Sequence, residues 1–215
     1  LNSVRAAHNM LGAQLGKNYA IWGHSQGGHS ALFSTSMANA YLPEYNLVGT
    51  AATAPATQLE SLFMQQYQSS ASWVIGPYVV STWPSFYPSL EPDQILTKPG
   101  LNNFKSLADK CATGAALDGI IREKFGQQFF SDSFISNPSW QQTIAQQTAP
   151  VISPSQPIFV GESLTDQVVL PNTTAQYIGR ACSGGSNLTS LWLTDVGHVQ
   201  LQSVIAPAVL NWISD

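Results

Sequence analysis

An α/β fold with a parallel sheet covered on both faces, interrupted by one mostly helical insertion, is the architecture this sequence predicts, and three observations lead there. Four short apolar runs, at residues 19–22, 47–54, 157–161 and 188–193, read as strands and alternate with segments of helical period. The first run passes straight into Gly23-His24-Ser25-Gln26-Gly27, a strand-to-helix elbow that lifts its central serine clear of the sheet. Between residues 56 and 153 no clean strand occurs, while prolines and aromatic side chains accumulate.

In chain order, Ser3 can cap a first helix with Val4, Ala7, Met10 and Leu11 at helical spacing, its end loosened by Gly12 and Gly16. The elbow follows the first strand, with Gly28 and the helix-compatible Ala31-Leu32-Phe33 behind it, and its flanking positions are read as glycine because backbone passes close by. Pro43 limits that helix near Ala40. Residues 47–54 form a second strand of small side chains, so strand, helix and strand make a right-handed parallel crossover. The insertion then holds helical pieces at 59–69, 101–116 and 120–130, broken by Pro77, Pro84, Pro88, Pro92 and Pro99. Thirteen of the 22 aromatic residues lie between Phe63 and Trp140, serving either as a local core or as apolar faces toward a substrate. The sheet resumes at 157–161, a helix spans 172–181, and after the last strand Thr194-Asp195-Val196-Gly197-His198 leads into a closing helix at 201–213. The domains expected are a core of 1–55 with 154–215, and a helical cap of 56–153.

With 215 residues there is material for one sizeable core, or for a core carrying such an insertion. Only 9% of the residues are charged against 44% hydrophobic, so Ser, Thr, Gln and Asn must wet the surface, as is common in exported proteins. A net charge of −4 supplies no basic field for nucleic acid or an anionic membrane. No apolar run approaches the roughly 18 residues of a membrane span. Cys111 and Cys182 lack metal or redox spacing and would pair as a disulfide in an exported protein. The chain opens on Leu1 rather than Met with no visible signal peptide, so either one was removed or the sequence was trimmed.

Chemistry collects at the carboxyl ends of these strands, where open α/β sheets place working groups. They carry Ser25, Asp166 and His198 in that order. A serine hydroxyl is a weak nucleophile at neutral pH and needs a base; His198 can take its proton and return it to a leaving alcohol, with Asp166 fixing the tautomer. The backbone N–H of Gln26, at the start of the helix, points at a developing oxyanion. Glu162 and Asp195 are the other carboxylates open to the acid's role. His8, His24 and His29 are assigned to packing or hydrogen bonding. No two histidines have i, i+4 spacing with a carboxylate partner, so neither metal nor cofactor is expected.

Gly-His-Ser-Gln-Gly-Gly-His, Leu-Val-Gly-Thr-Ala-Ala, Gly161 with Asp166-Gln-Val-Val, and Gly197-His198 together resemble the α/β-hydrolase superfamily. More narrowly they resemble the secretory lipases of the fungal lipase A type and their bacterial relatives, over most of the chain except mid-cap. The resemblance implies a secreted serine hydrolase of carboxylic esters with a lipid-facing cap, and polyesters stay open as substrates. Two other classes stay open: a binding module that keeps the fold with little turnover, and a peptidase or thioesterase. One departure is plain. The fold places its nucleophile strand fifth and draws a second oxyanion donor from an earlier loop. Here the nucleophile strand comes first, so Gln26 is the sole identifiable donor and the strand's outer edge stands open. Either a further N-terminal piece covers that edge or two copies of the chain pair along it.

Overall fold

The computed structural model describes residues 1–11 and 14–215; Gly12 lies outside them. The chain folds as two compact units, residues 1–58 with 149–215, and residues 59–148.

The first unit is the sheet and its helices. α1 (Asn2–Leu11) leads to β1 (Asn18–His24), α2 (Gln26–Tyr41) and β2 (Asn46–Thr53). α1 begins at Asn2, so Ser3 sits within the helix rather than capping it. Every strand pairs in parallel, in the order β1-β2-β3-β4, where β3 is Ile158–Ser163 and β4 is Leu188–Leu193. α8 (Pro171–Ser183) follows β3 and α9 (His198–Ser214) follows β4. Strand position explains strand composition. β3 lies inside the sheet, with all six residues buried, and accordingly reads as an unbroken run instead of an alternation. Among the described residues β1 pairs only with β2, and its side chains remain half-exposed or exposed.

Adjacent residues on each inner strand feed opposite faces, as the two-residue period requires. Ala52, Ile158 and Val160 pack with Leu32 of α2 and with Tyr177 and Ala181 of α8. Ala51 and Phe159 pack with Leu201, Ile205 and Val209 of α9. Small strand residues let α9 come close: a Cβ added at Gly161 would lie 2.2 Å from Ile205 Cδ1. The register matches His24 with Thr53, Thr53 with Gly161, and Ser163 with Leu193, so the carboxyl ends of all four strands share one edge.

The second unit is helical: α3 (Leu59–Gln66), α4 (Ser70–Thr82), α5 (Lys98–Ala108), α6 (Ala112–Lys124) and α7 (Pro138–Gln146), with 3₁₀ turns between them. α4 runs through Pro77, where the sequence pattern suggests a break. Pro77 costs a helical hydrogen bond, but it is buried beside Gly76, whose missing side chain admits the Phe129 ring; a Cβ there would meet that ring at 2.4 Å. Tertiary packing overrides the local breaker. The helix expected over 120–130 stops at Lys124, because Phe129 and Phe130 leave it to enter the core. Much of the aromatic concentration is that core. Trp73, Phe129, Phe130, Phe134 and Trp140 are fully buried, Phe130 stacks on Phe134 at 4.0 Å, and Phe129 meets Trp73 edge-on at 5.2 Å. Phe86 and Phe125 instead point into solvent.

The expected disulfide is not formed. Cys111, at the N-cap of α6, and Cys182, in the last turn of α8, are both exposed free thiols. Among the described residues no helix is long and apolar enough to cross a membrane, and no cluster of three or more His, Cys, Asp or Glu could hold a metal.

Candidate functional site

Ser25 sits between β1 and α2 with φ 57° and ψ −121°, a conformation L-residues rarely adopt. Its N–H donates to Thr53 O at 2.8 Å, which ties the elbow to the end of β2. The two glycines of the motif differ in their reasons. A Cβ on Gly23 would lie 2.0 Å from the Gly27 carbonyl oxygen, so that position admits glycine alone, whereas a Cβ on Gly27 would meet nothing within 4 Å. Crowding at the second flank, expected from the motif, falls instead on Gly28, whose added Cβ would lie 3.0 Å from Pro55 Cβ. Gln26 opens α2, so its N–H has no intrahelical acceptor and is available beside Ser25.

The strain at Ser25 should be measurable. Such backbone costs on the order of 1–3 kcal/mol, and glycine tolerates it. Ser25→Gly is therefore expected to be more stable than Ser25→Ala by about 1 kcal/mol, net of glycine's chain-entropy cost. Urea unfolding reads the difference, and an alanine variant at least as stable as the glycine one would contradict it.

His198 is the first residue of α9, and the structure brings it to both partners. Ser25 Oγ–H donates to its Nε2 at 2.9 Å, and its Nδ1–H donates to Asp166 Oδ2 at 2.6 Å. A carboxylate can only accept, so this second bond places the hydrogen on Nδ1 and leaves Nε2 free to accept. Asp166 is nearly fully buried in the loop after β3, its Oδ1 taking the N–H groups of Val168 and Val169 at 2.8 and 3.0 Å. A pair of hydroxyls joins that loop to the turn before α9. Ser163 Oγ and Thr165 Oγ1 both donate to Val196 O, at 2.6 and 3.2 Å, holding the acid's loop and the imidazole's turn together. Neither contact has a sequence signature, since the partners are more than thirty residues apart.

The competing candidates lie elsewhere. Asp195 is exposed and takes up a left-handed turn at φ 58°, shaping the approach to His198. Glu162 is fully buried at the end of β3, accepting from the Thr174 hydroxyl at 2.6 Å and from the Ser163 N–H at 2.8 Å. Burial pushes its carboxyl up to about 8. His24 rests 4.8 Å from the His198 ring, with Nδ1 3.2 Å from Thr53 Oγ1 and Nε2 buried without a partner among the described residues. Burial and the neighbouring imidazole lower its proton affinity, so it is a neutral wall of the site. His29 packs against Phe33 and His8 against Tyr45.

The family model for secretory lipases matches residues 1–215. A secreted triacylglycerol lipase of Malassezia globosa is 25% identical over 198 residues, covering 87% of this chain, and lipase A of Moesziomyces aphidis is 23% identical over 217 residues, also 87% of it. The chain spans 43% of the length of each. Among solved structures, the rice cell wall degrading esterase LipA of Xanthomonas oryzae superposes with a TM-score of 0.78 at 21% identity, over 97% of this chain and 62% of that one. Candida antarctica lipase A in its closed state gives 0.73 at 20% identity, over 98% and 51%. At these identities the structural likeness is one of fold.

Proposed function

The chain belongs to the secretory lipase family, and from that premise we propose that it is an exported serine hydrolase of carboxylic esters that works through an acyl-Ser25 intermediate. The observation that carries the proposal is the unbroken relay from Ser25 through His198 to the buried Asp166. In it, Ser25 Oγ attacks the ester carbonyl as Nε2 takes its proton, and the Gln26 N–H stabilises the oxyanion. The imidazolium, steadied by Asp166, passes that proton to the departing alcohol. Water then repeats the attack on the acyl-serine, again with His198 as base, releasing the acid and restoring Ser25. The assignment of 1–55 with 154–215 as catalytic core and 56–153 as a helical cap belongs to the same proposal. So do an apolar acyl group, for which low charge and exposed aromatics such as Phe86 speak, and a further strand or second copy covering the edge of β1. Fast exchange of those amides in residues 19–22 that point away from β2 would count against that last point.

A fluorophosphonate probe and p-nitrophenyl esters of short and long acyl chains test the mechanism. The probe is expected on Ser25, far more slowly in His198→Ala, with ester turnover well above that of amide substrates. Labelling that His198→Ala leaves equally fast would refute the relay. Amide turnover matching ester turnover would favour a peptidase.

A further inference from the structure

One hydroxyl joins the two loops that carry the acid and the base. Ser163 ends β3 opposite Leu193, the last residue of β4, and is wholly buried. Its N–H donates to Glu162 Oε1 at 2.8 Å, which anchors it at the strand's end. From there it makes three bonds forward. Its carbonyl accepts the N–H of Asp166 at 3.2 Å, its Oγ accepts the N–H of Thr165 at 3.3 Å, and its Oγ–H donates to Val196 O at 2.6 Å. The first two fix the start of the acid's loop. The third reaches the turn that leads into His198, so it bridges 33 residues of chain.

That turn depends on an external tie. Asp195 holds φ at 58°, a left-handed conformation that an L-residue keeps only where its surroundings enforce it. Val196 follows it directly, with one glycine between it and His198. Thr165 Oγ1 adds a second, longer bond to the same carbonyl at 3.2 Å, from an exposed residue. The result is a closed ring: Ser163 leads through its loop to Asp166, Asp166 Oδ2 accepts from His198 Nδ1–H at 2.6 Å, and the turn returns from His198 to Val196 O and the Ser163 hydroxyl. A charge-assisted bond this short is sensitive to the placement of both its groups. Opening the ring at Ser163 leaves each of them attached to a looser loop.

We propose that Ser163 is a positioning residue for catalysis: its buried hydroxyl, by joining the acid's loop to Val196 O, sets the Asp166–His198 bond and with it the direction in which Nε2 faces Ser25. This role rests on the serine-hydrolase reading and adds what holds its base in place. As Ser25 Oγ attacks, its proton passes to Nε2 and the ring becomes an imidazolium. Ser163 neither gains nor loses a proton in that step. Asp166 steadies the cation best from a fixed distance, so slack at Val196 costs rate in the transition state and leaves the binding of an ester untouched.

The test compares Ser163→Ala and Thr165→Val with Thr35→Val, which removes an equally buried hydroxyl bonded to Ala31 O and Thr50 Oγ1 rather than to either loop. On a p-nitrophenyl ester, Ser163→Ala is expected to lower kcat by roughly tenfold to a hundredfold, with KM within about twofold of native. Proton NMR reads the same effect without turnover. The Nδ1–H of His198, donated to a carboxylate at 2.6 Å, should resonate far downfield in the native protein, be absent from His198→Ala, and move upfield in Ser163→Ala. Thr165→Val should move kcat and the resonance the same way by less, about twofold to fivefold in rate. Thr35→Val should unfold at lower temperature with native kcat and a native resonance. An unmoved resonance in Ser163→Ala, a loss that falls on KM instead of kcat, or an equal loss in Thr35→Val would each overturn the proposal. Should Ser163→Ala not fold, an unmoved resonance in Thr165→Val would overturn it alone. Full hydrolysis by Ser25→Ala would instead remove the serine mechanism, while the resonance still decided whether Ser163 sets the Asp166–His198 bond.

Discussion

Ser25→Ala is expected to slow ester hydrolysis by about 10⁴- to 10⁶-fold, His198→Ala by a similar factor, and the double variant by no more than either alone. The reason is the shape of the relay. Nε2 of His198 accepts from Ser25 Oγ at 2.9 Å and has no other assigned task, so without the serine the base activates nothing, and without the base the hydroxyl keeps its proton. Asp166→Asn is expected to cost about 10⁴-fold by a different route, since its amide would offer Nδ1 a donor and favour the wrong tautomer. Steady-state kcat/KM with matched thermal midpoints checks all four variants. Losses that multiplied in the double variant would show that the two residues act independently.

Legibility in the sequence follows how local each cause is. Ser25 is readable because its elbow is continuous in the chain: an apolar strand, a glycine whose place a Cβ would fill at 2.0 Å, then a helix start. Asp166 and His198 are readable as loop residues past strand ends, and the matched register of β1 through β4 supplies their convergence. What is hidden depends on partners distant in sequence. Pro77 reads as a breaker because nothing nearby announces that Phe129, some fifty residues on, will fill the gap beside Gly76. Glu162 reads as a spare carboxylate because Thr174 reaches it only once α8 has folded back on β3. The cysteines read as a pair from their number and the expectation of export, and neither is informative about distance; each ends as an exposed thiol.

Gly23→Ala and Gly27→Ala are expected to have opposite signs, although both alter a glycine of one motif. At Gly23 the new methyl would lie 2.0 Å from Gly27 O, 2.3 Å from Gly27 C and 2.8 Å from Gly28 N, all backbone atoms of the first turn of α2. Backbone cannot rotate aside as a side chain can, so the turn must move, at a cost of at least about 3 kcal/mol. Ser25 moves with that turn. A displacement of about 1 Å from the 2.9 Å contact with His198 is enough to cost roughly 10²-fold in rate, so activity should fall even where the variant stays folded. At Gly27 the methyl meets nothing within 4 Å and the residue lies inside α2, where alanine is the better helix former by about 0.5–1 kcal/mol. That variant should melt at or above the native temperature and label with a fluorophosphonate at the native rate. The contrast separates what the elbow needs from what the motif merely contains. A Gly23→Ala protein as stable and active as the native one would mean that the elbow has slack the 2.0 Å approach does not allow, and with it Ser25 would lose its enforced geometry.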